Sequence, residues 1–83
     1  MAKRTMQELV IATMKHEGFR EVIPSPSRKY RLLTGQAGTA YSGRKYWVGR
    51  MGAVRVGNTI SDSISVTDSW QRQARRFEQN GVI

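Results

Sequence analysis

Lys45-Tyr46-Trp47-Val48-Gly49-Arg50-Met51-Gly52-Ala53-Val54-Arg55-Val56-Gly57 is the stretch whose reading decides the fold. Aromatic and β-branched residues suit a pleated, half-buried surface. Here they stand on both sides of Arg50-Met51-Gly52, which supplies a turn. The segment therefore predicts a strand, a reversal and a returning strand. Glycines at 49, 52 and 57 allow a bulge or a sharp twist in it. C-terminal to it, Ile64-Ser65-Val66-Thr67 alternates cleanly and predicts a further strand, with Ile64 and Val66 inward. N-terminal to it, Lys29 to Thr34 has strand chemistry, with Tyr30, Leu32 and Thr34 on one face and Lys29, Arg31 and Leu33 on the other. Phe19 to Ile23 can add a short strand before Pro24 and Pro26, which lack donors and end it.

Helices flank this β-rich centre. Thr5-Met6-Gln7-Glu8 is a capping-box pattern, in which hydroxyl and carboxylate each satisfy the other residue's backbone N–H. Met6, Leu9, Val10, Thr13 and Met14 follow at spacings of three and four, one buried face of a helix over about 6–17. Gly18 can take the left-handed position that stops it. At the other end Thr67, Asp68 or Ser69 can cap a helix over about 69–79, with Trp70, Ala74 and Phe77 inward and Asn80-Gly81 as the stop. The expectation is an α+β fold: an N-terminal helix, a mainly antiparallel sheet of three to four strands, and a C-terminal helix packed on the same sheet face. Residues 1–83 read as a single small domain, with a flexible loop at 35–43 marked by Gly35, Gly38 and Gly43. Either Tyr46 or Trp47 must face the core, and the other faces outward.

Eighty-three residues bury only about 60–65% of their unfolded surface, which suffices for two helices on a sheet but not for a deep substrate pocket as well. No cysteine is present, so there is no disulfide framework, and one histidine cannot build an ordinary zinc site. No apolar run approaches the roughly 20 residues of a membrane span, and Met1-Ala2-Lys3-Arg4 leads into polar sequence without a signal-peptide core. A cytoplasmic protein without a membrane partner is expected. Catalytic patterns such as HExxH, the EF-hand loop and Walker A do not occur, and Glu17, Glu21 and Asp62 share no motif spacing. His16 lies where a helix C-terminus would favour it, which explains it without catalysis. The expectation is a non-enzymatic protein with no cofactor and no metal. In order of elements alone the chain resembles double-stranded-RNA binders. It departs from them at Asp68-Ser69-Trp70, where a basic signature would open the last helix.

Fourteen basic against six acidic residues give a net charge of +8, which suits a polyanionic partner. Bases stand beside aromatics twice, in Arg28-Lys29-Tyr30-Arg31 and Arg44-Lys45-Tyr46-Trp47, and Arg50 and Arg55 follow. Arg and Lys neutralise phosphates, and an exposed aromatic stacks on a base. The expected nucleic-acid-binding set is Arg28, Lys29, Arg31, Arg44, Lys45, Trp47, Arg50 and Arg55, with Arg72, Arg75 and Arg76 as a secondary basic patch. The same side chains suit an acidic protein surface, since Arg, Tyr and Trp dominate protein interfaces too. A protein-binding or inhibitory module, or a small structural or assembly component, is therefore the alternative. Nothing in the pattern separates DNA from RNA.

Overall fold

The computed structural model describes residues 4–83. They form α1 (Met6–His16), β1 (Phe19–Val22), β2 (Tyr30–Gly35), β3 (Lys45–Gly49), β4 (Val54–Val56), β5 (Ile64–Ser65) and α2 (Thr67–Gln79). α1 starts as its sequence requires. The Thr5 hydroxyl accepts the Glu8 N–H at 3.2 Å, and the Glu8 carboxylate accepts the Thr5 N–H at 2.9 Å. Its buried face is Leu9, Val10, Ile11, Thr13 and Met14. Thr13 is tolerated there because its hydroxyl donates to the Leu9 carbonyl at 2.9 Å.

α2 begins two residues before the expected start, and not on a side-chain cap. Val66 stands at the N-cap without one. The Thr67 hydroxyl turns instead to β4, accepting the Val54 N–H at 2.9 Å and donating to the Val54 carbonyl at 3.3 Å. Backbone groups on the sheet outcompete the local cap. Trp70 and Ala74 are buried, and half-buried Phe77 meets His16 edge-on at 5.3 Å.

The sheet has five strands, not three to four, in the order β1-β2-β3-β4-β5, with every neighbouring pair antiparallel. The extra count comes from two short edges. β5 pairs over only two residues: the Val66 N–H still reaches the Val54 carbonyl, but the Val54 N–H goes to the Thr67 hydroxyl instead of back to Val66, and the chain then turns into α2. Ile64, expected inward, is 66% exposed, since it pairs with Val56 on the outermost strand.

Alternation sorts the side chains into two faces. Phe19, Leu33, Tyr46, Val48 and Val54 join Leu9, Val10, Met14, Trp70 and Ala74 in one core under the helices. The opposite face carries the register row Val22, Leu32, Trp47, Arg55 and Ser65. Leu32 and Trp47 are buried there as well, outside the main core, and the Trp47 indole N–H donates to the Gly57 carbonyl at 3.0 Å. Tyr46 and Trp47 thus lie on opposite faces and both are buried, so neither supplies the outward ring expected of the pair. The glycine-rich segment after β2 is drawn inward by Tyr41, whose ring centroid lies 4.9 Å from Phe19 and 5.7 Å from Trp70. Gly35 permits this approach: a Cβ there would stand 1.9 Å from the Tyr41 carbonyl oxygen.

Candidate nucleic-acid interface

A meander places its connections alternately at two ends of the sheet. The β1–β2 connection and the β3–β4 turn share one end, while the segment 36–44 and the β4–β5 connection share the other. This geometry divides the basic residues. Arg28, Lys29 and Arg50 meet at the first end, and Arg44 stands at the second. Lys45 and Arg55 flank Trp47 on the helix-free face, and Arg31 points to the helix side.

Arg31 already has a partner. Its Nε and one terminal nitrogen donate to the two Glu21 carboxylate oxygens at 2.7 and 2.8 Å, and Lys15 approaches the same carboxylate at 3.5 Å. Glu21 is only 8% exposed in its side chain, which makes the pairing necessary. The Arg31 hydrogen bonds hold the Glu21 carboxyl below its ordinary range, against the opposing effect of burial. Arg31 therefore braces β1 on β2. Arg55 is likewise committed, donating to the Ser63 hydroxyl and carbonyl at 2.8 Å each and so clamping the β4–β5 connection.

The first end is built differently. Between Pro24 and Tyr30, serine hydroxyls satisfy the backbone: Ser25 accepts the Ser27 N–H, and Ser27 accepts the N–H groups of Lys29 and Tyr30 at 3.2 and 3.3 Å. Arg28 and Lys29 are thereby presented, exposed, on a wired loop. Across from them Gly49 and Ala53 close the β3–β4 turn by an N–H to carbonyl bond of 2.8 Å. Gly52, at φ +87°, lies against Met6, and the Gln71 side-chain amide donates to its carbonyl at 3.0 Å. Both helices therefore fix the turn that carries Arg50 and Met51. Met51 is 86% exposed at its tip. Tyr30 pairs with Gly49 across β2 and β3, and one side of its ring lies against that glycine.

Between these two turns lies a cleft of about 440 Å³, lined by Arg28, Lys29, Tyr30, Gly49, Arg50, Met51 and Ala53. A second of about 270 Å³ shares Arg28, Lys29, Tyr30 and Arg50 and reaches toward Gln7 and Arg31. No carboxylate lines either one. Among the described residues, none lies within ion-pair distance of Arg28, Lys29 or Arg50. The expected set named neither Tyr30 nor Met51, although Tyr30 stood within the Arg28-Lys29-Tyr30-Arg31 cluster. The signal for Tyr30 was its place between Lys29 and Arg31 on the face opposite theirs, and for Met51 its position at the turn apex.

Arg72, Arg75 and Arg76 are exposed on α2, where they line a separate shallow groove of about 330 Å³ with Asp68, Gln71 and Gln79. Among the described residues, no group of three or more metal-ligating side chains is placed to hold an ion, and no helix is long and apolar enough to cross a membrane. No protein-family model, curated protein or solved structure matches the chain.

Proposed function

We propose that this chain is a small, non-catalytic nucleic-acid-binding module that docks through the cleft between its β1–β2 and β3–β4 turns. The observation that carries the reading is the meeting of Arg28, Lys29 and Arg50, from turns some twenty residues apart, in a cleft lined by no carboxylate. Three cations without an ion-pair partner among the described residues, carried on braced turns, suit a phosphate backbone, because the cost of ordering the backbone that carries them is met in folding rather than in binding. Tyr30 and Met51 offer apolar surface to a sugar or base beside those phosphates. Trp47, Arg31 and Arg55 act in support, since one is buried and the others are held by protein acceptors.

One observation favours a second reading. Met51 projects at 86% exposure from a cleft with an apolar wall, a feature that also suits an acidic protein partner. Fluorescence anisotropy with short single- and double-stranded DNA and RNA at about 0.15 M salt tests the first reading. Sub-micromolar binding that falls at least tenfold in the double variant Arg28→Glu, Arg50→Glu supports the nucleic-acid reading. Dissociation constants no tighter than about 10⁻⁴ M for every oligonucleotide amount to generic polyanion attraction and overturn it.

A further inference from the structure

We infer that the binding surface does not end at the cleft but continues along the outer row of α2, and that its ligand is a nucleic-acid duplex. This rests on the nucleic-acid reading of the cleft. Gln71 joins the two regions: its side-chain amide holds the Gly52 carbonyl of the turn that presents Arg50, and the residue also lines the groove on α2. From that point Arg72, Arg75 and Arg76 run toward Gln79, all exposed, with Arg72 and Arg76 one helical turn apart. Among the described residues none of the three makes an ion pair within 4 Å. The one carboxylate lining the groove is Asp68, at the start of the helix.

The chemistry of this row selects the ligand. It contains three arginines, two glutamines and an aspartate but no aromatic ring, so it can hold phosphates and cannot stack bases. A single strand gains much of its affinity from stacking, whereas a duplex presents a stiff rail of phosphates with its bases already stacked. A rigid helix with cations about one turn, 5.4 Å, apart presents a fixed row of charge to that rail. The longest dimension of the chain, 34 Å, limits the contact to about ten base pairs at 3.4 Å each.

The test is the salt dependence of binding to a 12-base-pair duplex, measured for the protein, for Arg72→Ala with Arg76→Ala, and for Arg28→Ala with Arg50→Ala. Arg20→Ala, an exposed base on the β1 edge, serves as a charge control, and thermal melting checks that each variant is folded. If the cleft and α2 together neutralise six phosphates, affinity falls about 10³-fold between 50 and 200 mM salt, and removing two contacts reduces this to about 10²-fold. Both double variants should show that reduction, the control should show much less, and a single strand of equal length should bind at least tenfold more weakly than the duplex. A reduction for the cleft variant alone, or equal affinity for the single strand, overturns the α2 extension and leaves the cleft reading in place. No binding to any duplex while a single strand binds likewise overturns the α2 extension alone; an unchanged salt dependence in both double variants, or no binding to either duplex or single strand, overturns both.

Discussion

Gly52→Ala should destabilise the protein by about 2–5 kcal/mol, and the figure follows from two separable effects. Gly52 has φ +87°, where a side chain costs about 1–2 kcal/mol. A Cβ at this position would lie 2.4 Å from Met6 Cγ, 2.9 Å from Met6 Cβ and 3.2 Å from the Gln71 amide nitrogen. Forcing these groups apart is overpacking, typically about 1–3 kcal/mol. Gly38 isolates the first effect, since its φ is +85° and nothing lies within 4 Å of a Cβ built on it. Gly38→Ala should therefore cost only about 1–2 kcal/mol. Urea unfolding of both variants at a common m-value reads the difference. Adding Met6→Ala to Gly52→Ala should recover about 1 kcal/mol relative to the sum of the single changes, because Cγ and the atoms beyond it are removed while Cβ stays close. A Gly52 variant within about 0.5 kcal/mol of the Gly38 variant would refute the claim that α1 braces the turn carrying Arg50.

Glu21→Gln should cost about 1–2 kcal/mol, between the values for exposed and buried ion pairs, because Glu21 is 8% exposed in its side chain but Arg31 is 38% exposed. The Glu21 carboxyl titrates below its ordinary value when folded, so its stabilisation is complete above the unfolded-chain value and is lost as pH falls through the folded one. Urea midpoints taken from neutral to acidic pH should fall less steeply in Glu21→Gln, and an unchanged slope opposes the assignment. Trp70→Ala removes a ring packed on Phe19, Tyr41 and Tyr46 and should cost about 3–5 kcal/mol, comparable to the whole stability of so small a chain. Loss of the near-ultraviolet circular dichroism would show it, and deletion of Trp70 to Ile83 should unfold the protein outright. In the glycine-rich segment, Tyr41 and the backbone bonds of Gln36, Thr39, Ser42, Gly43 and Arg44 should confine fast motion to Ala37 and Gly38, as ¹⁵N relaxation can measure. Uniform mobility across 35–43 would contradict that anchoring.

What the sequence made legible is what local chemistry encodes. The capping box at Thr5 and Glu8 and the stop at Gly18 depend on residues within a few positions of each other. The β3–β4 reversal does too, and all three stand where they were expected. Less legible were features decided by register. Alternation puts Tyr46 and Trp47 on opposite faces but cannot show that the second face is also covered, with Trp47 beside Leu32 and bonded to Gly57. The partner of Arg31 is set by how β1 lies on β2, and the pairing of Tyr30 with Gly49 by how β2 lies on β3. Neither strand pair is joined by a tight turn that would fix its register. The α2 cap failed for the same reason: Thr67 had a partner on β4 that no local pattern announces. At the candidate site the basic residues were visible, but their division among two sheet ends and two faces follows only from the five-strand order.

The central claim is that a nucleic acid docks at the end of the sheet where Arg28, Lys29 and Arg50 meet. Titrating ¹⁵N-labelled protein with a short duplex and following its amide shifts tests this most directly. The largest changes are expected at Ser27 to Tyr30 and Gly49 to Ala53, with further changes at Gln71 to Arg76 if the duplex also follows α2, while Gln36 to Arg44 at the other end stays still. Largest shifts at Gln36 to Arg44 or around Lys45 and Arg55, with residues 27–30 unmoved, would contradict it.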